Sequence, residues 1–318
     1  MPTQAIADVE VLERFPCFGG NCEVVVQGSG PAGPAWEAVA RTRRRLEAWH
    51  CQFSRFDPAS ELSRLNRDPR DTVPVSAMMA RFLEAALQVA IWTGGLVDPT
   101  LVNAIEHAGY GADLRSEPVP LADALRLAPA PRPAQPSAQA RWRDISVDSA
   151  GSTVTRPPGL EVDSGGIVKG LFGDVLAPVL GGHASYVVNA AGDLRFGGAE
   201  GWRRPVQVAS PFGDEVLHTF ELISGASATS GIGKRSWIGR DGRPSHHLLD
   251  PSTGHAAFTG VVQVSALAPT GIEAEALSKA ALLSGAAHAG DWLPYGGLVV
   301  YDDGGFEVLD SPASGVGR

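Results

Sequence analysis

The strand-forming segments in the second half of the chain constrain its fold more than any other feature. From residue 184 onward, Val and aromatic residues cluster between turns in ASYVVNA, RPVQVAS, VLHTFELIS, GVVQVSALA and GGLVVYDDGGFEVL. One clear helical segment, residues 271–285 (GIEAEALSKAALLSG), interrupts them. Because strands and helices do not alternate regularly, the sequence predicts an α+β fold with antiparallel-rich sheets and packed helices. It argues against a doubly wound parallel sheet.

The first half of the chain predicts a strand and several helices. CEVVVQG at residues 22–28 is typical of a strand, and Pro34 opens a helix that runs from residue 35 to 53. Ser76 is the predicted N-cap of a second helix, which stops at Gly94 and Gly95. Residues 164–180 predict a third helix that begins with glycines. The predicted buried stripe of the first helix is Trp36, Val39, Leu46 and Trp49.

Residues 117–139 (EPVPLADALRLAPAPRPAQPSAQ) are rich in proline. We interpret them as a surface insertion with one short helix, and not as a boundary between domains. The length of 318 residues fits one large domain or two ordinary ones. No repeat of fixed period divides the chain, so we predict a single domain over residues 1–318.

The overall composition excludes some classes of protein. The chain has 26 Lys and Arg against 35 Asp and Glu, a net charge of −9, which argues against nucleic-acid binding. Cys17, Cys22 and Cys51 are odd in number and form no CxxC pair, which argues against a disulfide framework or a zinc site. Residues 1–16 show no signal-peptide pattern, and no apolar run reaches the ~18 residues of a membrane-spanning helix. We therefore expect a cytoplasmic protein with no membrane insertion of its own.

Four short segments combine residue types that could bind a ligand or take part in a reaction. They are residues 53–66, 94–101, 162–174 and 245–254. In the third, Lys169 follows glycines whose N–H groups suit a phosphate, although no Ser or Thr follows it as a Walker A loop demands. In the fourth, only one of His246 and His247 can face a given site, because a strand alternates its faces. Each segment also has a structural explanation: an Asp-Pro turn, a helix capped by Ser60, glycine packing or a hydrogen-bonded core histidine.

The order of these segments resembles the ApbE family, the FAD:protein FMN transferases. SRFDPASELSRLN resembles the family's S-x-Y-x-x-x-S-E-[LI]-S-x-[LI]-N, and GGLVDPTL resembles G-[AG]-F-D-[PV]-T. VDSGGIVKGLFGD resembles [LV]-D-x-x-[GA]-I-[AV]-K-G-x-x-x-D. VVNAAGDLRFGG resembles N-x-G-G-D-[IL]-x-x-x-G, and HHLLDPSTG resembles H-H-I-[IL]-D-P-x-T-G. The resemblance covers residues 15–285 and implies an ApbE-like, T-fold-like mixed architecture.

Members of this family cleave FAD and transfer its FMN half, through the phosphate, to a Thr or Ser hydroxyl of an acceptor protein, with assistance from Mg²⁺. Phe18 and Phe56 correspond to residues near the flavin ring, and Lys169 corresponds to a lysine whose charge suits the pyrophosphate. His247 corresponds to the family histidine linked to transfer. It is our first candidate for removing the acceptor proton, since an unperturbed imidazole titrates near neutral pH. By resemblance, the expected FAD-binding residues are Phe18, Phe56, Leu96, Val97, Asp98, Lys169, Leu248 and Asp250.

Residues 271–285 depart from the family at one position. The family reads A-D-A-L-S-T, in which Asp and Thr bind the metal together with a main-chain carbonyl that corresponds to Gly166. This chain reads AEALSK at residues 274–279, so Glu275 offers a carboxylate, but a protonated Lys279 cannot bind Mg²⁺. Three interpretations remain. Lys279 replaces part of the metal's charge in catalysis; or Glu275 binds Mg²⁺ with more water ligands while Lys279 turns aside; or the two form an ordinary i,i+4 salt bridge in a homologue that has lost transfer.

The resemblance implies an active FAD:protein FMN transferase whose partners are FAD and an acceptor flavoprotein with an S-G-A-[ST]-like motif. One alternative is an FAD pyrophosphatase, in which water replaces the acceptor hydroxyl. Another is a non-catalytic FAD-binding homologue, which Lys279 favours. SGASATS at residues 224–230 resembles the acceptor motif itself and makes Ser227 a candidate for self-flavinylation. The alternative for this segment is a loop of small residues.

Overall fold

An eight-stranded antiparallel sheet organises the fold. The computed structural model describes residues 9–31, 33–111, 119–239 and 242–310. Its strands are β1 (Glu10–Cys17), β2 (Gly20–Gln27), β3 (Ser29–Gly30), β4 (Gly33–Pro34), β5 (Thr72–Pro74), β6 (Ser146–Asp148), β7 (Thr153–Thr155), β8 (Ser185–Ala190), β9 (Asp193–Gly197), β10 (Arg204–Ala209), β11 (Val216–Leu222), β12 (Gly225–Gly231), β13 (Ser236–Ile238), β14 (Pro244–His246), β15 (Val261–Ala268), β16 (Gly297–Tyr301) and β17 (Phe306–Leu309). The large sheet has the order β1-β2-β8-β9-β12-β15-β16-β17, and every neighbouring pair in it is antiparallel. The predicted α+β fold with antiparallel-rich sheets is confirmed.

Three helices form a layer on this sheet. The helices of the described residues are α1 (Ala35–Gln52), α2 (Glu61–Arg67), α3 (Ala77–Trp92), α4 (Val102–His107), α5 (Leu121–Leu127), α6 (Val168–Leu180) and α7 (Gly271–Ser284), with 3-10 turns at Arg141–Asp144 and Ala289–Trp292. α1 packs on β1 and β2, α6 on β8 and β9, and α7 on β12 and β15, while α6 also contacts α1 and α7. Within the described ranges, no helix has the length and apolar character that crossing a membrane requires.

Apolar side chains cover both faces of the sheet. Val188 of β8 belongs to the cluster beneath α1, α3 and α6, where Phe82 and Phe172 are fully buried. Its neighbour Val187 points to the other face and packs with Val206 of the β10–β11 ribbon. This alternation follows from the two-residue period of a strand. The sheet is therefore the centre of a three-layer arrangement of helices, sheet and ribbon.

Helix α1 buries a different face from the one predicted. Its buried residues are Ala35, Ala38, Val39, Thr42 and Leu46, which recur at helical spacing. Trp36 is 61% exposed, so its assignment to the buried stripe was wrong. Small residues on the buried face let the helix lie close to β1 and β2, and this rotates Trp36 to the solvent side.

Strand β12 differs from the loop that its small residues favour. Ala226 and Ala228 are buried with Ala274 of α7. β12 pairs with β9 on one side and β15 on the other, so it is a central strand. The small side chains leave room for α7 to pack directly on the sheet. A composition typical of loops here serves close helix–sheet contact.

Glycines set the distance between α6 and α7. A Cβ on Gly170 would lie 2.3 Å from the backbone oxygen of Gly271, so no larger residue fits there without movement of a helix. Asp174 of α6 accepts hydrogen bonds from the N–H groups of Gly271 at 2.8 Å and Ile272 at 3.0 Å. α6 therefore caps the first turn of α7 and fixes the position of that helix.

Residues 119–139 are the described part of the predicted surface insertion, and they contain the short helix α5. The N–H of Arg132 donates to the carbonyl of Phe258 at 3.0 Å, and that of Ala134 to Leu283 at 2.9 Å. The segment thus lies against the end of α7. Glu117 and Pro118 lie outside the described residues.

Candidate active site

A cavity of about 500 Å³ lies where the predicted segments meet. Its volume is in the range of sites that enclose cofactor-sized molecules. Of the residues predicted from the sequence, those that line it are Phe18, Phe56, Leu96, Val97, Asp98, Gly166, Lys169, His247, Leu248 and Lys279. Asp250 and Glu275 do not line it. The fold therefore brings together most of the predicted site from segments far apart in the chain.

Phe18 stands at the tip of the β1–β2 hairpin. Phe18 and Gly19 form its two-residue turn, with φ angles of 56° and 70°. Such a turn favours Asn or Gly at these positions, and a bulky residue at positive φ is uncommon. The Phe18 ring packs on His50, with centroids 5.2 Å apart, and on Phe172 at 5.6 Å. Arg235 donates to the carbonyl of Phe18 at 3.0 Å. These contacts hold an aromatic ring at the cavity wall.

Arg55, Phe56 and Tyr110 form another part of the wall, and Trp237 packs behind Tyr110. The Arg55 guanidinium lies 4.5 Å from the ring centroid of Phe56 and 5.0 Å from that of Tyr110. Arg55 Nη1 donates to the carbonyl of Tyr110 at 2.9 Å, and its Nε lies 3.8 Å from Asp163 Oδ1. Tyr110 stacks on Trp237 with centroids 5.5 Å apart. The result is a fixed stack of flat groups that can pack against a planar heterocycle.

Ser60 and Asn66 of the first motif support the cavity without lining it. Ser60 caps α2 by accepting a hydrogen bond from the N–H of Ser63 at 2.9 Å. The Asn66 amide donates to the carbonyl of Val162 and accepts from its N–H, both at 2.9 Å. This buried pairing joins the first motif to the segment that leads into α6. These two residues of the motif therefore have a structural role, while Phe56 of the same motif lines the cavity.

Asp98 is held by its own loop. Its Oδ1 accepts hydrogen bonds from the N–H of Thr100 at 2.7 Å and from the Thr100 hydroxyl at 2.6 Å. Burial raises the pKa of Asp98 above its ordinary value in spite of these two bonds. The backbone of the same loop is tied to the motif before α6, because the N–H of Asp163 donates to the carbonyl of Pro99 at 2.8 Å.

His247 lines the cavity, and one of its ring nitrogens is unpaired. Its Nδ1 is buried and has no hydrogen-bond partner among the described residues. Burial, together with the positive charge of Arg235, lowers the pKa of His247 well below its usual 6.5. The imidazole is therefore neutral at neutral pH. A neutral imidazole with an unoccupied nitrogen can accept a proton directly.

His246 does not line the cavity. Its side chain is 1% exposed and meets the Phe258 ring edge-on, with centroids 4.8 Å apart. Burial lowers the pKa of His246 to about 3. One histidine of the tandem pair thus belongs to the core, and the other belongs to the cavity.

Lys169 forms a buried ion pair at the start of α6. Its Nζ lies 2.5 Å from Asp193 Oδ2, and the two side chains are 16% and 6% exposed. Burial acts to lower the pKa of Lys169, but the negative charges of Asp193 and Glu275 outweigh it and hold that pKa above the ordinary value. Lys169 therefore remains a cation, and Asp193 holds it in place.

Glu275 and Lys279 form a second buried ion pair, on α7. Lys279 Nζ lies 3.2 Å from Glu275 Oε1, and the side chains are 12% and 1% exposed, respectively. The N–H of Gly170 donates to Glu275 Oε2 at 2.9 Å. A Cβ on Gly166 would lie 4.0 Å from Lys279 Cε, so Gly166 adjoins the lysine side chain. Burial raises the pKa of Glu275. This pair is no exposed surface salt bridge.

The surroundings of Glu275 do not fit Mg²⁺. The ion takes oxygen ligands in near-ideal octahedral geometry at ~2.0–2.1 Å. Both carboxylate oxygens already accept from donors, and the charges of Lys279 and Lys169 both act on the carboxylate. The neighbouring Ser278 hydroxyl bonds to the Ser230 hydroxyl at 2.9 Å. No cluster of three or more His, Cys, Asp or Glu side chains that could hold a metal occurs in the described ranges.

Asp250 supports the cavity from behind. Its Oδ1 accepts hydrogen bonds from the N–H groups of Gln135 at 3.1 Å and Ser252 at 3.0 Å, and from the Ser252 hydroxyl at 2.7 Å. These bonds shape the turn after His247 and Leu248 and join it to the segment at residue 135. The Asp250 carboxylate therefore bonds to other groups of the protein itself.

Several cavity residues escaped the sequence analysis. Lys234 and Arg235 line the cavity after β12, and Arg55 and Tyr110 supply the aromatic stack. A composition signal could have found Lys234, because the chain contains only three lysines. No local pattern marks Tyr110, whose position depends on the packing of α4 against Trp237.

Ser227 is unsuited to self-modification in this structure. It lies in the middle of β12 and is 3% exposed. Its strand is paired on both sides. With that exposure, its hydroxyl is not accessible to FAD in this structure.

A cavity with buried ammonium groups, a neutral histidine and stacked aromatic rings places the chain in the class of proteins whose sites suit a ligand with phosphate groups and an aromatic ring system. Within that class, the ApbE family model matches residues 18–300, so the chain belongs to the ApbE family, and the resemblance is confirmed. Among its relatives is the FAD:protein FMN transferase of Treponema pallidum, 28% identical over 290 residues that cover 84% of this chain and 77% of the relative. That of Salmonella typhimurium is 27% identical over 296 residues, covering 87% and 81%.

Solved structures agree with this assignment. The ApbE protein from Thermotoga maritima matches with a TM-score of 0.76 at 26% identity, over 95% of this chain and 97% of that one. The flavin transferase ApbE from Vibrio cholerae has the same fold, with a TM-score of 0.71 at 23% identity over 96% and 98%.

Proposed function

We propose that this protein is an FAD:protein FMN transferase, which transfers the FMN half of FAD to a Thr or Ser hydroxyl of an acceptor protein and releases AMP. The observation that carries the proposal is a cavity lined by His247, whose pKa is lowered, and by Lys169 and Lys279. Relatives that align with most of this chain bear the name FAD:protein FMN transferase.

The reaction requires little of the protein beyond alignment, proton removal and charge neutralisation. The acceptor oxygen attacks the phosphorus of the FMN half, and the bond from that phosphorus to the oxygen bridging to AMP breaks. The hydroxyl proton passes to the imidazole of His247, which is neutral and therefore able to receive it. AMP leaves with the bond's electron pair, and nearby cations stabilise the new negative charge.

The remaining cavity residues suit the other parts of FAD. We propose that Phe18 and Phe56 pack against the flavin ring, while Leu96, Val97 and Leu248 exclude water. Asp98 is proposed to accept a hydrogen bond from a nucleotide hydroxyl or an exocyclic amine. Lys169 is proposed to contact the pyrophosphate while Asp193 holds it. Asp250 then acts as a positioning residue, through the turn that carries His247.

Family resemblance implies Mg²⁺ at Gly166 and Glu275, where the ion would neutralise charge on the pyrophosphate. The residues here do not fit that ion, since the Lys279 ammonium group already pairs with the Glu275 carboxylate. No step of the proposed reaction therefore depends on a metal.

The test incubates the protein with FAD and a peptide that carries an S-G-A-T-like motif, then measures peptide mass and free nucleotides. A flavinylated peptide and an equal amount of AMP are expected. Free FMN and AMP with an unmodified peptide would instead indicate an FAD pyrophosphatase. Bound but intact FAD would contradict both activities and indicate a non-catalytic FAD-binding homologue.

Two controls sharpen this test. A peptide with Ala in place of the acceptor Thr should remain unmodified. His247→Gln should abolish transfer while FAD still binds, because the change removes the proton acceptor but not the cavity. His288→Gln is the matched control, since His288 is exposed and lies outside the cavity.

A further inference from the structure

The lysines of this chain are not distributed like ordinary surface residues. Of the 26 Lys and Arg residues in the sequence, only three are Lys: Lys169, Lys234 and Lys279. All three line the same cavity. Lysine is normally an exposed residue, but the side chains of Lys169 and Lys279 are only 16% and 12% exposed. Arginine supplies all other permanent side-chain positive charge in the chain.

The difference between lysine and arginine gives this distribution a chemical meaning. An ammonium group is a compact point charge with three donors, whereas a guanidinium is planar and spreads its charge. Compact charge close to phosphate oxygens is also what a divalent metal ion supplies. A cavity that collects every ammonium group of the chain is therefore suited to a pyrophosphate.

Lys279 stands where a metal ion would have to bind Glu275. Its Nζ is 3.2 Å from Oε1, and Oε2 accepts from the backbone of Gly170 at 2.9 Å. A divalent ion on this carboxylate would approach an ammonium group in a buried region, where like charges repel strongly. The carboxylate instead holds the ammonium group at the cavity wall.

The three ammonium groups differ in how their charge is balanced. Asp193 pairs with Lys169 and Glu275 pairs with Lys279, and both carboxylates lie behind the cavity wall while the ammonium groups line it. Lys234 is exposed and forms no ion pair among the described residues. Lys234 is therefore available to a ligand, and the two paired lysines are positioned before the ligand arrives. Such preorganised charge lowers a barrier because it costs no rearrangement during the reaction.

We propose that this protein binds and cleaves the FAD pyrophosphate without a divalent metal ion, with Lys279, Lys234 and Lys169 supplying the positive charge. The inference rests on the proposed function for its substrate. In the reaction the ammonium groups remain protonated and bind the phosphate oxygens. They stabilise the charge that AMP carries away, and the acceptor proton still goes to His247. No electron transfer and no further reactant is involved.

The first test measures FAD turnover by the wild-type protein in EDTA and in added Mg²⁺. Turnover in EDTA should equal turnover in Mg²⁺. A fall of about tenfold or more in EDTA, reversed by Mg²⁺, would overturn the inference but leave the proposed function intact. Lys279→Thr exchanges the ammonium group for a hydroxyl next to the Glu275 carboxylate. This variant should lose turnover in EDTA and regain it in Mg²⁺.

The second test needs no catalytic activity. A ligand that binds only the folded protein raises its melting temperature. Mg²⁺ should therefore raise the Tm of Lys279→Thr and leave the wild-type Tm unchanged. A rise in the wild-type Tm would contradict the inference. If Lys279→Thr does not fold, Lys279→Gln is used to measure the loss of turnover in EDTA. The turnover and Tm of the wild-type protein still decide whether the inference holds.

The third test separates failure of the inference from failure of the proposed function. FAD affinity, measured from flavin fluorescence in EDTA, should match that in Mg²⁺ for the wild type. Lys234→Gln should weaken FAD binding about tenfold in both conditions, through loss of one charge contact. A wild-type protein that turns over no FAD would refute the transferase proposal. Affinity and Tm would still show whether its FAD site needs Mg²⁺.

Discussion

His246 and His247 are neighbours in the sequence, but their surroundings differ. His246 packs against Phe258, and its Nδ1 accepts a hydrogen bond from the N–H of Leu248 at 3.3 Å. His247 lines the cavity, and its buried Nδ1 has no partner among the described residues. Burial keeps both imidazoles neutral, which gives His246 a structural role and His247 a chemical one.

The depressed pKa of His247 predicts the pH profile of the reaction. A general base works in its deprotonated form, and kcat/KM follows the pKa of that base in the free enzyme. Because burial and Arg235 hold the pKa of His247 well below 6.5, kcat/KM should show no fall centred near pH 6.5. Initial rates between pH 8 and pH 5.5 would check this. An inflection centred near pH 6.5 in the wild-type profile would contradict it.

The two histidines also predict acid sensitivity of the fold. The pKa of His246 is about 3 in the folded protein, against 6.5 for an unperturbed imidazole. The unfolded chain therefore takes up a proton as the pH falls through 6.5, while the folded protein does not. Stability is full above pH 6.5 and falls toward pH 3 by about 1.4 kcal/mol per pH unit for each such histidine.

His246→Gln should reduce this slope by about 1.4 kcal/mol per pH unit between pH 6 and pH 4.5. Urea denaturation at a series of pH values measures the free energy of unfolding. Equal slopes for the wild type and the variant would show that His246 is not neutral in the fold.

The buried Glu275–Lys279 pair predicts strong coupling between two substitutions. Glu275→Gln or Lys279→Met alone leaves one partner buried without its counter-charge, which should cost about 3–5 kcal/mol. The double variant removes both charges and should recover part of that cost. Urea denaturation of the four proteins gives the coupling energy. Strictly additive costs would mean that the two charges do not interact.

At the scale of elements, the site depends on the contact between α6 and α7. Lys169 lies in the first turn of α6, and Lys279 lies in the second half of α7. Gly170 touches the start of α7 and also donates its N–H to Glu275. One residue therefore controls both the distance between the helices and the orientation of the carboxylate.

Gly170→Ala should destabilise the protein and weaken FAD binding together. Its Cβ would lie 2.3 Å from a backbone oxygen, so one helix must move, at a cost of about 1–3 kcal/mol. Urea denaturation and FAD titration measure the two effects. Gly213→Ala is the matched control, since a Cβ there meets no atom within 4 Å. Unchanged FAD affinity in Gly170→Ala would show that the helix contact does not position the site.

At the scale of the whole molecule, the large sheet joins the two ends of the described chain. β1 forms one edge with residues Glu10–Cys17, and β17 forms the other with Phe306–Leu309. The cavity draws residues from the β1–β2 turn at one end of the sequence and from α7 near the other. This arrangement supports our prediction of a single domain over residues 1–318, which stays a prediction.

A single domain should unfold in one step. Tryptophan fluorescence and far-UV circular dichroism should give the same transition. FAD at about 100 times its Kd should shift the whole transition by about 2.7 kcal/mol. Two separate transitions, or a shift in only one signal, would indicate independent domains.

The sequence by itself determined the fold class and most of the residues that meet at the cavity. Strand and helix patterns are local, so they can be recognised in the sequence. Motifs such as residues 162–174 can likewise be recognised from their residues alone. It failed where composition and environment disagree: the small residues of β12 suggested a loop, and Trp36 suggested a buried face. Both errors arise because close helix–sheet packing selects small residues, and no single segment reveals its partner.

Only the tertiary structure decided what the cavity residues do. Burial makes His247 neutral. Folding pairs Lys279 with Glu275 and places the Asp250 carboxylate where it bonds within a turn. It also brings three lysines, at positions 169, 234 and 279, to one cavity. Charge state and ion pairing depend on distances between groups far apart in the chain and on the water that packing excludes. Those distances exist only once the chain has folded.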